Sequence, residues 1–252
     1  MTSTVGFAAG GYRFIPGPFQ YSGGVAASGG YQIQRVRFRR PVPLVRGFEL
    51  AALAIRNSGR PLTAFCACEL RSPAPFTEQG FRAFNEVYVK TLSEWGIFDG
   101  TVNPVARSNV CPAVYPPDEP SFYAFSYTVT SDSNSPPTLV IAGSGEAPEG
   151  QGSYQERCVR RGDVSPDGLR EKARFVLGEM ERRLGAFGAS WKDTTATQVY
   201  TVHDLYPFLA DEIVRRGAAE GGLNWCYCRP PVVELDFEMD CRAINIERVI
   251  ET

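Results

Sequence analysis

The sequence predicts an α+β fold made of two similar units in tandem, each a mixed β-sheet with two helices packed on one face. Segments in which apolar and polar residues alternate are interspersed with segments whose apolar residues lie three and four positions apart. The predicted elements follow one order twice (hairpin, helix, strand, helix, strand, strand), with an offset of roughly 130 residues. A chain of 252 residues is also long enough for two small domains.

The first unit should begin with a β-hairpin over residues 19–38, with a Ser-Gly-Gly turn. A helix over residues 44–55 and a strand over residues 63–70 should follow. A strand is also predicted within residues 103–115. The helix before that strand has the clearest pattern in the chain, with apolar residues at helical spacing at Phe81, Phe84, Tyr88, Leu92 and Trp95.

The second unit repeats this order after a polar break over residues 131–137. Its predicted elements are a strand at 138–148, a long helix at 167–187, a strand at 194–202, a helix at 205–216 and strands at 223–228 and 233–243. A further strand at residues 121–130 could close the first unit, open the second or serve both. We place the boundary before it, so that the N-terminal unit comprises residues 1–120 and the C-terminal unit residues 121–252.

The composition is that of an ordinary globular enzyme or binding protein. The formal net charge of −2 gives no reason to expect nucleic acid or an anionic membrane as a partner. No apolar run reaches the roughly 18 residues of a membrane span. The N-terminus lacks the basic flank and apolar core of a secretory signal, so we expect a cytoplasmic protein.

Seven cysteines fit a reducing compartment, because the count is odd and no dense disulfide framework is apparent. Two Cys-x-Cys pairs, Cys66 with Cys68 and Cys226 with Cys228, are spaced more closely than the ligands of most zinc sites. We therefore expect buried free thiols, with no metal site and no cofactor.

Arg107 is the first candidate functional residue. It follows a proline turn at the mouth of a predicted strand, and its guanidinium fork suits a carboxylate ligand. From these residues alone, a surface ion pair is the alternative.

Several segments, in order and spacing, resemble the RidA/YjgF (Rid) family. They are a helix at residues 81–92, a Pro-Val-Ala-Arg-Ser strand at 104–108, Ser-Gly-Glu-Ala-Pro at 144–148, a strand-to-helix passage at 198–208 and an acidic closing strand at 233–241. The family's strand is Pro-Ala-Arg-Ser, so Val105 is an insertion. Within the family, the unequal two-unit layout resembles the deaminases of 2-aminomuconate-type acids.

The resemblance implies a chorismate-mutase-like fold, trimeric barrels with clefts between subunits, and hydrolysis of enamines and imines with release of ammonia. In the family pattern Arg107 would bind the substrate carboxylate. Ser144 would be the strand-end serine and Tyr21 the first-strand tyrosine. Asp236 or Glu238 would be the closing-strand carboxylate.

Three further residues complete the expected substrate-binding set. Ser108 and Cys111 lie on the strand of Arg107, and Trp225 would line an apolar pocket. For Trp225, packing in the core is the alternative.

Each unit lacks one of the two functional residues, the arginine or the acid, that the other unit has. The C-terminal unit has residues 222–225 where the arginine is expected, and the N-terminal unit has Ala124 and Phe125 where the acid is expected. We therefore expect a composite site, with Arg107 facing acids of the other unit.

The candidate acid–base groups are three carboxylates. Glu146 replaces the family's glutamine, and Asp236 and Glu238 would share one strand face, so that repulsion raises one pKa. The alternatives are a solvated strand face, a loop carboxylate without a role at Glu146 and a turn serine at Ser144.

Three functions remain open at this point. The first is a hydrolytic deaminase of an unsaturated amino acid, most simply 2-aminomuconate or a substituted form. The second is a chorismatase-like enzyme, and the third is a non-enzymatic Rid-type ligand-binding protein. In each case the partner is a small carboxylate, and we expect a homotrimer that contains six units and three composite sites.

Overall fold

Two mixed β-sheets face each other, and helices cover their outer faces. The computed structural model describes residues 3–132, 135–150 and 152–251. The strands are β1 (Val5–Phe7), β2 (Tyr12–Ile15), β3 (Gly24–Ala27), β4 (Tyr31–Pro43), β5 (Phe65–Arg71), β6 (Ala106–Pro112), β7 (Ser121–Thr130), β8 (Leu139–Gly145), β9 (Ala196–Tyr200), β10 (Leu223–Cys226), β11 (Cys228–Arg229), β12 (Glu238–Ala243) and β13 (Ile246–Ile250). The helices are α1 (Leu44–Asn57), α2 (Glu78–Glu94), α3 (Tyr154–Arg157), α4 (Pro166–Ala186) and α5 (Tyr206–Phe208), which continues as a π-helix over Leu209–Val214.

The two sheets contain the same four-stranded topology. One has the order β6-β5-β7-β4 at its centre, and the other has β10-β9-β12-β8. In each, the first pair is parallel and the other two pairs are antiparallel. α1 connects β4 to β5 as α4 connects β8 to β9, so the predicted tandem α+β fold is confirmed.

Several strands of one half of the chain pair with strands of the other half. β13 pairs with β4 and β11 with β6, whereas β3 joins the other sheet beside β8. β7 pairs with β4 and β5, so the proposed boundary at residue 120 separates β7 from both of its neighbours. The division into two domains stays a prediction.

The hairpin predicted over residues 19–38 is wrong. β3 pairs with β2 and β8, while β4 pairs with β7 and β13. The Ser28 turn therefore carries the chain from one sheet to the other, and hydrogen bonding to the sheets overrides the local turn signal.

The helical periodicities correctly predict the outer layers. Phe48 of α1 and Tyr88 of α2 pack on Phe65 and Phe122 of one sheet. α4 packs its apolar stripe against Phe237 and the neighbouring strands of the other sheet. Because both helical layers are outside, the inner faces of the sheets oppose each other.

The space between the sheets is partly polar. Ser108 Oγ donates a hydrogen bond to Asp240 Oδ2 at 2.5 Å, and Gln198 Nε2 donates to Asp240 Oδ1 at 2.9 Å. Arg35 forms a bidentate ion pair with Glu69, with N–O distances of 2.6 and 2.8 Å. The alternation of β12 thus turns Glu238, Asp240 and Arg242 inward, while Met239 and Cys241 face α4.

The last predicted strand is shorter than expected. Residues 233 and 234 form a turn, residues 235–237 are irregular, and β12 begins only at Glu238. The Glu146 carboxyl group accepts hydrogen bonds from the backbone N–H groups of Asp236 and Phe237, at 2.6 and 3.0 Å, so these groups cannot join a strand ladder.

The segment between β8 and α4 contains α3, whose start is a capping box of Ser153 and Glu156. In the polar break over residues 131–137, residues 133 and 134 lie outside the described residues.

All seven cysteines are free thiols, and only Cys226 is partly exposed. Within the described part of the chain, no helix has both the length and the apolarity that a membrane crossing requires.

Candidate active site

The site that we describe lies at the seam where β8 of one sheet meets β6 of the other. Gly143 makes this contact possible, since a Cβ atom there would lie 3.2 Å from the Ser108 Cα atom and would overlap Glu238 Oε1. A small inner cavity of about 60 Å³ opens at the seam into an outer cleft of about 620 Å³. The outer cleft is within the size range of small-molecule sites.

The inner cavity collects four of the predicted site residues. Arg107 comes from β6, Ser144 from β8 and Glu238 from β12, and Tyr21 precedes β3. Residues from both halves of one chain therefore line one cavity, as the composite-site hypothesis expects.

Arg107 is enclosed by aromatic rings and has no acidic partner. Its side chain is buried, and Nη1 has no hydrogen-bond partner. Among the described residues, no carboxylate oxygen lies within 4.0 Å of its guanidinium nitrogens. The guanidinium carbon lies 4.7 Å from the ring centre of Tyr88 and 5.5, 5.6 and 5.7 Å from those of Tyr21, Phe81 and Phe84. Ring faces attract a cation but do not neutralise it, so the buried charge is open to an anionic ligand.

Asn109 supplies a second unsatisfied donor to the same cavity. Its Oδ1 accepts a hydrogen bond from Ser72 Oγ at 2.9 Å, which orients the amide. Its Nδ2 is buried and has no partner. Because Asn109 lies two residues after Arg107 on β6, both side chains emerge from the same strand face.

Glu238 is the acid of the inner cavity. Burial raises the pKa of Glu238 well above its ordinary range, and the nearby carboxyl groups of Asp240 and Glu146 raise it further, while Arg107 and Arg71 oppose the shift. The group can thus keep its proton at a pH above the ordinary glutamate range and release it to a substrate. The expected partner in this repulsion was Asp236, but the neighbour on the same strand face is Asp240.

Hydroxyl groups complete the polar lining. Burial raises the pKa values of Tyr21 and Tyr154, so both phenols keep their protons and can donate hydrogen bonds. The Ser144 hydroxyl makes only one long contact, 3.4 Å to the carbonyl of Gly145.

Glu146 and Asp236 do not line the inner cavity; they form a buried cluster beside it. Lys172 of α4 lies 3.3 Å from Glu146 Oε1 and 2.5 Å from Asp236 Oδ2. His203 Nε2 lies 3.4 Å from Asp236 Oδ1. Glu146 is fully buried and tied to the backbone before Glu238, so its geometry is that of a positioning residue and not of a water-activating base.

Three other predicted residues also lie away from the cavity lining. Ser108 faces the opposite side of β6 and donates its hydroxyl to Asp240. Cys111 is buried beside β11. Burial, and to a smaller extent the nearby Glu238 carboxyl group, raise the pKa of its thiol to about 12. Trp225 is 42% exposed on β10, where its indole N–H donates to the carbonyl of Thr201.

The sequence reasoning missed Asn109, Tyr154, Arg157, Arg183 and Glu149, which also line the inner cavity. Strand alternation from Arg107 was a usable signal for Asn109. For the others the sequence offered no such signal, since they lie on a loop, a short helix and the end of α4. Within the described residues, no group of three or more His, Cys, Asp or Glu side chains is placed to hold a metal ion.

The comparisons with known proteins agree with the predicted resemblance. A family model described as 2-aminomuconate deaminase CnbZ matches residues 4–248. The 2-amino-5-chloromuconate deaminase of Comamonas testosteroni is 51% identical over 251 residues, which are 99% of this chain and 100% of that protein.

Solved structures show more distant likenesses. A chorismatase has 14% identity and a TM-score of 0.47, with coverage of 88% of this chain and 77% of its own. The YjgF protein of Escherichia coli has 17% identity and a TM-score of 0.30, with coverage of 43% and 80%. Likenesses of this size carry no argument about function. The full-length family match and the 51% identity show that the chain belongs to the 2-aminomuconate deaminase CnbZ family.

Proposed function

We propose that the protein is a hydrolytic deaminase that releases ammonia from 2-aminomuconate or a substituted 2-aminomuconate. The observation that carries this proposal is the buried Arg107, which has no ion-pair partner among the described residues and lines one cavity with the buried Glu238. A buried charge without a partner is costly, so the site is organised for an anion. Membership of the deaminase family and the relative's named activity support the same conclusion.

Arg107 and Asn109 form the proposed carboxylate clamp. The carboxylate next to the amino-bearing carbon would accept hydrogen bonds from Arg107 Nη1 and Asn109 Nδ2, both of which are buried and have no hydrogen-bond partner among the described residues. A fixed pair of donors holds the reacting carbon in one orientation, which is the largest contribution that such a small site can make.

Glu238 then acts as the proton donor and, afterwards, the proton acceptor. The neutral acid gives its proton to a carbon atom conjugated with the amine, which converts the enamine into an iminium ion. A water molecule adds to the iminium carbon while the new Glu238 carboxylate takes a proton from it. Glu238 then returns this proton to the amine and accepts the proton of the carbinolamine hydroxyl, so that the C=O bond forms as the C–N bond breaks. Ammonia and a 2-oxo acid leave, neutral Glu238 is restored, and one water is consumed for each ammonia released.

The hydroxyl groups of Ser144, Tyr21 and Tyr154 are placed to orient the water and the amine. The lining of the cavity also includes the apolar side chains of Phe81, Ala147 and Leu235. An apolar wall suits a carbon chain and a halogen substituent such as the one in the relative's substrate name.

An ammonia-release assay tests this function. Purified protein should release stoichiometric ammonia from 2-aminomuconate and from its 5-chloro derivative, and it should not consume chorismate. Consumption of chorismate without ammonia release would favour the chorismatase-like alternative. Tight binding of the dicarboxylates without any turnover would favour the non-enzymatic alternative.

Assembly as a homotrimer is a separate proposal. β1 and β13 lie at sheet edges and expose most of their residues, and such edges are commonly covered by assembly. The cavity itself draws its residues from one chain, so a trimer is not needed to bring Arg107 and Glu238 together. Light scattering should give three times the chain mass of 27.7 kDa, and a monomer would contradict the proposal. The cytoplasmic location likewise stays a prediction.

A further inference from the structure

Three arginines line the inner cavity, and they differ in how far their charges are neutralised. Arg183 is committed to the protein, because Nη1 donates to the carbonyl of Ala142 at 3.1 Å and Nη2 to Glu149 Oε1 at 3.0 Å. Arg107 has no acidic partner, as described above. The third arginine, Arg157, was not used in the proposed mechanism.

Arg157 is held in place by neutral groups only. Its Nε donates to the carbonyl of Gly152 at 3.0 Å, and Nη1 donates to the carbonyl of Pro148. Its guanidinium lies 5.0 Å from the ring centre of Tyr154. No ion pair to Arg157 is formed within residues 3–132, 135–150 and 152–251. The carbonyl contacts orient the guanidinium without placing it in an ion pair.

The positions of Arg107 and Arg157 define two ends of one cavity. Of these two spaces Arg107 lines the inner cavity, while Arg157 lines both the inner cavity and the outer cleft, so Arg157 marks the mouth. Tyr21, Phe81 and Tyr154 line the passage that the two spaces share. An elongated, planar ligand would thus have one cation at each end and aromatic walls between them.

We propose that Arg157 binds the second carboxylate of a planar unsaturated dicarboxylate whose first carboxylate is held by Arg107, so that the site selects dicarboxylates over monocarboxylates. This inference deepens the proposed function and rests on the same cleft. A second arginine that is already paired, as Arg183 is with Glu149, would have to break an ion pair first; Arg157 would not.

The expected effect is moderate because Arg157 is partly exposed. One charge-assisted hydrogen bond corresponds to about 10- to 100-fold in a dissociation constant. Solvent screening at a cavity mouth lowers this contribution, so we expect a preference of about tenfold for a second carboxylate.

Equilibrium binding of trans,trans-muconate and sorbate tests the inference without any chemistry. The two ligands share a planar diene and one carboxylate, and sorbate has a methyl group in place of the second carboxylate. Neither carries an amino group, so the measurement does not depend on whether the protein releases ammonia. Wild-type protein should bind muconate about tenfold more tightly than sorbate.

Substitutions assign the difference to one residue. Arg157→Gln should weaken muconate binding to the level of sorbate and leave sorbate binding unchanged, whereas Arg107→Gln should weaken both. The matched control is Arg161→Gln, because Arg161 lies on the same loop but pairs with Glu234 and does not line the inner cavity. It should change neither affinity.

Equal affinity of the wild-type protein for the two ligands would overturn the inference. So would an Arg157→Gln variant that loses affinity for both ligands in equal proportion, or for neither. If Arg157→Gln does not fold, Arg157→Lys keeps the charge without the fork, and it should retain only part of the muconate preference. Full retention of wild-type binding by Arg157→Lys would exclude a fork-specific contact and likewise count against the proposal.

Discussion

Replacing Arg107 by methionine separates ligand capture from folding. Methionine keeps a flexible apolar stem among the rings that surround Arg107, so packing is largely preserved. Only the guanidinium fork is removed. Because that fork has no acidic partner in the described protein, the substitution leaves no carboxylate unpaired.

The size of the effect follows from the contacts that the fork can make. Two hydrogen bonds from a charged donor contribute about 1.5–3 kcal/mol each. Their loss corresponds to a decrease in kcat/KM of about 10²- to 10⁴-fold. The free energy of unfolding should not fall in proportion, because removal of a buried unpaired charge offsets the loss of about 0.5–2 kcal/mol of cation–π attraction.

Two measurements on the same preparations check this reasoning. Ammonia release from 2-aminomuconate gives kcat/KM, and urea unfolding gives stability. Arg46→Met is the matched control, since Arg46 pairs with Glu49 on the exposed face of α1, away from the cavity. Kinetics within twofold of wild type in Arg107→Met would refute the clamp, and a loss of several kcal/mol of stability would show that Arg107 is mainly structural.

Three further substitutions test the acid and its supports. Glu238→Gln should lower kcat by about 10²- to 10⁴-fold with little change in muconate affinity, and near-normal turnover would remove Glu238 from the mechanism. Burial raises the pKa of Glu238 in the folded protein, so wild-type protein loses stability as the pH rises above the ordinary glutamate range. Glu238→Gln should therefore be more stable than wild type at about pH 8 but not at about pH 4, as measured by urea unfolding. Glu146→Ala should cost about 3–5 kcal/mol of stability because it leaves Lys172 and two backbone N–H groups without this partner, and an unchanged unfolding midpoint would contradict the positioning role. Gly143→Ala should reduce turnover more than stability, because the added methyl group displaces the Glu238 carboxyl group, and a fully active variant would show that this displacement is harmless.

Much of the fold was predictable because the relevant signals are local. The stripes of α1, α2 and α4 follow from helical spacing; in α2, for example, Phe81, Tyr88 and Leu92 are buried as predicted, whereas Phe84 and Trp95 are partly buried. Strand pairing was less predictable, since a turn such as the one at Ser28 only reverses the chain. Whether the two strands that it joins then pair with each other depends on which other strands offer hydrogen bonds.

Some residues of the candidate site were likewise predictable from the sequence, and others were not. Arg107, Ser144, Tyr21 and Glu238 were identified from residue type and family resemblance, and they do line one cavity. Asp236 was not separable from Glu238 by its position in the sequence. Its backbone N–H donates to Glu146, and this interaction across two segments ends the strand before Asp236 can share a face with Glu238.

The sequence by itself determined the repeated α+β order, the family and the single arginine without a counterpart in the second unit. Only the tertiary structure decided what surrounds that arginine. Aromatic residues of α2 and Tyr21 enclose it, and the inward face of β12 brings Glu238 into the same cavity. Burial and the neighbouring carboxyl groups raise the pKa of Glu238, and Arg107 has no ion-pair partner among the described residues. Both features depend on residues that are far apart in the chain, so no local sequence pattern could have predicted them.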